Sequence, residues 1–166
     1  MPLPIISVSQ MRDWENRTWQ EGVAQQSVMQ LAGQHLADYI SHLTKPGQSV
    51  LFLIGKGNNG GDARIAADRI SDRKISLLPV ENAEDCLEGL VGFLAEKPAL
   101  IVDGLFGIGL NRNLDDQWFQ LATIWSQHFD VISKDTANDA VIVWFWAWKR
   151  GGGVEKAVLM RQSSGA

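Results

Sequence analysis

The run Ser49-Val-Leu-Phe-Leu-Ile54 is apolar at nearly every position and breaks directly into Gly55-Lys-Gly-Asn-Asn-Gly-Gly-Asp62. A strand that is apolar at consecutive positions is buried on both faces, as a central strand of a parallel sheet is when helices cover each side. The glycines at 55, 57, 60 and 61 let the backbone turn sharply and come close to a ligand. A chain built around this junction is constrained to an α/β architecture with a phosphate-binding or ion-binding turn at the end of a strand.

Known motifs divide over that loop. Gly55-x-Gly57-x-x-Gly60 satisfies the dinucleotide fingerprint, and Glu81 stands at about the distance where an acid holds a ribose hydroxyl. A P-loop is excluded, because Lys56 precedes the asparagines instead of following the last glycine. Asp62 has two readings: a cap at the first turn of the next helix, or a group that contacts a ligand. As a cap it would contribute about 0.5–2 kcal/mol.

A second stretch, Ala99-Leu-Ile-Val-Asp-Gly-Leu-Phe-Gly-Ile-Gly-Leu-Asn-Arg112, repeats the design of strand, aspartate and glycine loop. Ligands of open α/β sheets bind beyond the carboxyl ends of the strands, so both loops and Asp103 should converge on one crevice. Asp103 reads either as a carboxylate capping the loop amides that follow it or as a ligand. An oxygen from Asn59 and one from Asp103 would suit a hard monovalent cation better than a transition metal. His35, His42 and His128 are scattered and have no zinc spacing.

These two loops resemble the signature loops of the NAD(P)H-hydrate epimerase family, the YjeF N-terminal domain. The segment with Met11-Arg-Asp-Trp-Glu15 and Val28-Met-Gln-Leu-Ala-Gly33 is similar to that family's two leading helices, and the likeness runs over roughly residues 5 to 135. It implies an isomerase that interconverts the R and S forms of hydrated NADH and NADPH with a bound potassium ion. By the same resemblance, Asn59 and Asp103 hold potassium. Asn58, Asn59, Gly60, Gly61 and Asp62, with Gly107, Ile108, Gly109, Leu110, Asn111, Arg112 and Asn113, line the dinucleotide pocket. Asp135 contacts substrate and is the expected catalytic carboxylate, with an exposed turn aspartate as the plain alternative.

Periodicity predicts two leading helices, one capped by Ser7 or Ser9 and running to Gly22. The second presents Val28, Leu31, Ala32, Leu36, Tyr39, Ile40 and Leu43 on one face. Strands follow near 49–54, 74–80, 99–103 and 129–133. Between them come helices at 62–71 (Ala63, Ala66, Ala67 and Ile70 inward), 83–96, and 115–127 with Trp118, Leu121, Ala122 and Trp125 inward. Such alternation makes a Rossmann-like three-layer α/β sandwich with a mostly parallel sheet.

A chain of 166 residues, 45% hydrophobic, can bury one core. A net charge of −4 gives no electrostatic footprint for nucleic acid or an anionic membrane, so neither is expected as a partner. The single cysteine, Cys86, reads as a small apolar residue on a helix face. The start, Met1-Pro-Leu-Pro-Ile-Ile6, has no basic region or long apolar core of a secretory signal, and the expected compartment is cytoplasmic.

Past Asp135-Thr136 the likeness stops. The family's Pro-Ser-Gly is replaced by Ala137-Asn-Asp139, which removes the serine that would supply a further potassium ligand. Then come Ala140 to Trp148, with Trp144, Trp146 and Trp148, followed by a polar end. The domain is therefore read as residues 1–136, incomplete at its C-terminal side. Residues 137–166 read as an atypical tail, as from an early stop or a reading-frame slip. An active epimerase, with a homodimer through the leading helices left open, stands beside a second reading: an inactive truncated fragment or nucleotide-binding scaffold module of the same fold.

Overall fold

A computed structural model describes residues 8–107, 114–124, 141–144, 148–150 and 153–155. Helix α1 (Val8–Gln20) leads into α2 (Gln25–Leu43), then β1 (Ser49–Ile54), α3 (Asn58–Arg69), β2 (Lys74–Pro79), α4 (Ala83–Ala95) and β3 (Leu100–Gly104). Residues 116–124 are helical, and β4 (Val141–Trp144), β5 (Trp148–Arg150) and β6 (Gly153–Glu155) follow.

The sheet has the order β2-β1-β3-β4, all parallel, with Val50 opposite Ile75 on one side and Leu100 on the other. β1 is thus central, which is why Val50 to Ile54 are all buried. Alternation along it divides the core. Val50, Phe52 and Ile54 face α2 and α3 with Leu36, Ile40, Ala63 and Ala66, while Leu51 and Leu53 face α4 and the 116–124 helix with Leu90, Leu94, Trp118 and Leu121. Helices on both faces of one sheet make the three-layer α/β sandwich expected.

α1 ends as its sequence dictates. Gly22 takes φ +82, its N–H donates to Trp19 and that of Val23 to Thr18, a Schellman closure that satisfies the last carbonyls. α2 lies against α3 at Gly33, where a Cβ would fall 2.6 Å from Ile65 Cβ, so only glycine permits this approach. The buried stripe of α2 is Gly33, Leu36, Ala37 and Ile40. Val28 and Leu31, expected on that stripe, are exposed, because the face of α2 that meets α3 runs through Met29 and Gly33 instead.

Two boundaries differ from expectation. α3 starts at Asn58, so Gly57 is its N-cap residue and Asp62 sits inside the helix, one turn past its start; Asp62 is not a cap. The amides of the Asn-Asn-Gly-Gly run join the helix because Gly57 supplies the extended turn-in. The strand expected at 129–133 lies outside the described residues. β3 pairs instead with β4, from the segment read as an atypical tail, so part of that tail joins the sheet. The β-branched run there supplies a partner for the open edge of β3. β5 and β6 form a separate antiparallel pair.

Candidate functional site

Chain order runs outward from β1 to β2 and then returns to β3 on the other side of β1, so the strand order reverses between β1 and β3. Crevices in open α/β sheets form at this reversal. The two glycine loops leave from these adjacent strand ends and are pressed together. Gly55 N–H donates to Gly104 O at 3.1 Å, and a Cβ on Gly55 would collide with the Leu105 carbonyl. A Cβ on Gly60 would collide with the Gly55 carbonyl, and one on Gly104 would stand 2.8 Å from Ala63 Cβ. The glycines at 55, 60 and 104 are therefore required by packing, and they bring the start of α3 over the strand ends.

Asn59 joins the loops. Its Nδ2 donates to Phe106 O at 2.5 Å. A carbonyl only accepts, so this bond orients the amide and turns Oδ1 to the Gly107 side, where a Cβ would lie 3.2 Å from it. Phe106 is itself held by Trp118, ring centroids 4.7 Å apart and nearly edge to face. Asp103, the next-to-last residue of β3, has 2% of its surface exposed, and its Oδ1 accepts the Leu105 N–H at 2.9 Å. The capping role read for Asp103 is thus realised.

Asp62 Oδ1 is buried and has no hydrogen-bond partner among the described residues. Burial pushes the Asp62 carboxyl up to about 6 from its usual 3.8. A cleft of about 530 Å³ opens beside this junction, beyond the ends of β1 and β2. Asn58, Gly60 and Gly61 line it, as do Lys56, Arg64 and Glu81. Arg64 was not anticipated from sequence. It stands one helical turn after Gly60, a relation that shows only once the helix is started at Asn58. Of the other expected residues, Gly107 adjoins Asn59, while Ile108, Gly109, Leu110, Asn111, Arg112, Asn113 and Asp135 lie outside the described residues.

Comparison with known proteins agrees with this arrangement. The profile of the family described as YjeF-related protein N-terminus matches residues 25–90, which span α2 through most of α4. An NAD(P)H-hydrate epimerase of Achromobacter xylosoxidans is 35% identical over 154 aligned residues, covering 81% of this chain and 73% of that protein. One from Bordetella pertussis is 35% identical over 133, covering 70% of this chain and 57% of its own length. The bifunctional NAD(P)H-hydrate repair enzyme of Thermosynechococcus vestitus is 30% identical over 128 residues, with this chain spanning 25% of it. The chain thus spans 73% and 57% of the length of these two epimerases. With the sheet reversal, the paired glycine loops and these relatives together, the chain belongs to the NAD(P)H-hydrate epimerase family, the YjeF-related N-terminus.

Proposed function

We propose that this chain is an NAD(P)H-hydrate epimerase, an isomerase that interconverts the R and S forms of hydrated NADH and NADPH. The observation that carries this is the Asn59 to Phe106 bond, which ties the two glycine loops together at the reversal of the strand order. The reading takes residues 1–136 as the working domain and 137–166 as a following segment whose β4 extends the domain's sheet. It includes a cytoplasmic setting, in keeping with the free thiol of Cys86.

A potassium site made by Asn59 and Asp103 belongs to the same reading. The residues fit the ion: the Asn59 amide oxygen, turned to the Gly107 side, and the buried Asp103 carboxylate are hard oxygen donors that carry one negative charge, the kind that suits a monovalent cation. Potassium, when bound, supplies fixed positive charge beside an anionic dinucleotide. The chain's own groups do the rest. First-turn amides of α3 face the crevice and favour phosphate oxygens, helped by the helix dipole. Asn58, Gly60 and Gly61 line the cleft beside those amides.

The substrate carries a hydroxyl on the carbon next to the ring nitrogen. Epimerisation requires that centre to open, by loss of hydroxide or by ring cleavage, and to close again on the other face. A carboxylate that passes a proton to and from the hydroxyl oxygen gives a rate advantage of roughly 10²- to 10⁴-fold. Asp135 is assigned that role by resemblance.

An epimerisation assay on purified chain, with potassium and with sodium in its place, tests the proposal. Turnover stimulated by potassium is expected, and Asp103→Asn should weaken potassium binding in calorimetry while the melting temperature holds. Asp135→Asn should lower turnover at least about 10²-fold. Absence of turnover with nucleotide binding retained would favour the binding-module reading.

A further inference from the structure

The cleft of about 530 Å³ lies over the β1 and β2 ends, next to the Asn59 and Asp103 junction over β1 and β3. Its volume is within the range of roughly 300–1,000 Å³ usual for small-molecule sites. Three charged side chains line it. Lys56 Nζ stands 3.7 Å from the Glu81 carboxylate, and both side chains are open to solvent. Arg64, on α3, has no carboxylate partner among the described residues. Glu81 comes two residues after the last residue of β2, so the acid and the glycine loop share one cleft.

We propose that this cleft seats the adenosine end of the dinucleotide and that Glu81, paired with Lys56, makes it prefer a free 2′-hydroxyl to a 2′-phosphate. The inference rests on the epimerase reading for the identity of the dinucleotide. The charges set the geometry. Arg64 and the α3 amides offer positive potential to one phosphate, the adenosine 5′-phosphate. Glu81 can only accept hydrogen bonds, and a ribose diol can donate two. A 2′-phosphate has little to donate at neutral pH and brings up to two negative charges beside a carboxylate. To be seated it must draw Lys56 away from Glu81. Hydrated NADH should therefore be favoured over hydrated NADPH through a repulsive contact as much as an attractive one.

Calorimetric titration of the full chain with 5′-AMP and with 2′,5′-ADP reads this directly. The expected result is 5′-AMP bound about tenfold more tightly, a difference that Glu81→Gln removes or reverses by taking away the charge and freeing Lys56. Glu81 is exposed, so the variant should keep its melting temperature. Equal affinity of the two nucleotides for the wild-type chain, an unchanged ratio in Glu81→Gln, or binding of neither nucleotide would overturn the proposal. Epimerisation measured on the same preparations separates the readings. Turnover that persists when the nucleotide ratio is flat leaves the epimerase assignment standing and removes only the adenosine subsite.

Discussion

Asp62 shows how one side chain can be held against its own preference. Its carboxylate is half-buried inside α3, with Oδ1 unpartnered among the described residues and its pKa pushed up to about 6 by desolvation. A folded-state pKa above the unfolded value means the native chain holds the proton more firmly between pH 3.8 and 6, so stability falls as pH rises through that window. Above about pH 6 the penalty is fully present; below 3.8 it is gone. Because solvent reaches much of the group, its size is on the order of 1 kcal/mol. Asp62→Asn should raise the melting temperature at pH 8, and its advantage should vanish near pH 3.5. A stability gap that does not change with pH would show that the carboxylate carries no such penalty. The glycines at 33, 55 and 60 make the complementary point, since each stands where a Cβ would strike a neighbour.

At the level of elements, the loops are positioned by contacts far from them in sequence. Trp118 braces Phe106, and the Phe106 carbonyl fixes Asn59. Trp118→Leu keeps the site apolar but removes an aromatic contact of about 0.5–1.5 kcal/mol. It should weaken potassium binding measured by calorimetry, while Trp118→Phe largely restores it. The end of α2 is held in a similar way. Arg73, just before β2, donates to Thr44 Oγ1 at 3.0 Å, to Ser41 O at 3.0 Å and to Thr44 O at 2.6 Å, and pairs with Asp72. These bonds satisfy carbonyls that a helix leaves open at its C-terminus. Arg73→Ala should cost about 2 kcal/mol in chemical denaturation, since charged-group hydrogen bonds are among the stronger ones. A loss under 0.5 kcal/mol, small enough for a surface change, would show the clamp to be incidental.

For the whole molecule, the leading helices matter most. Trp14 is 64% exposed and Leu31 55%, with Val23 and Val28 also open, all on α1, α2 and the link between them. Scattered exposed apolar residues are ordinary, but Val28 and Leu31, one turn apart on α2, together offer an apolar surface able to associate. The chain is expected to self-associate through this face, and Leu31→Glu should shift it toward monomer in light scattering without changing the fold. An identical mass distribution for both proteins would place any association elsewhere. No helix among the described residues is long and apolar enough to cross a membrane.

Read as sequence alone, the strands near 49–54, 74–80 and 99–103, found within a residue at each end, and the inward set Ala63, Ala66, Ala67 and Ile70 were legible because burial on both sides of a sheet, or one side of a helix, writes a direct apolar pattern. The convergence of the two glycine loops was legible from the rule for strand ends. Other features were not. The start of α3 was misplaced because glycine and asparagine are poor helix formers, and only the fit of Gly60 against Gly55 makes that turn helical. The exposure of Val28 and Leu31 depends on which face of α2 meets α3, and the brace from Trp118 to Asn59 on a fold that brings residues 59, 106 and 118 together. Local patterns specify which residues avoid water. Which of them meet, and which polar atoms are left to hold a ligand, is decided by packing between segments distant in the chain.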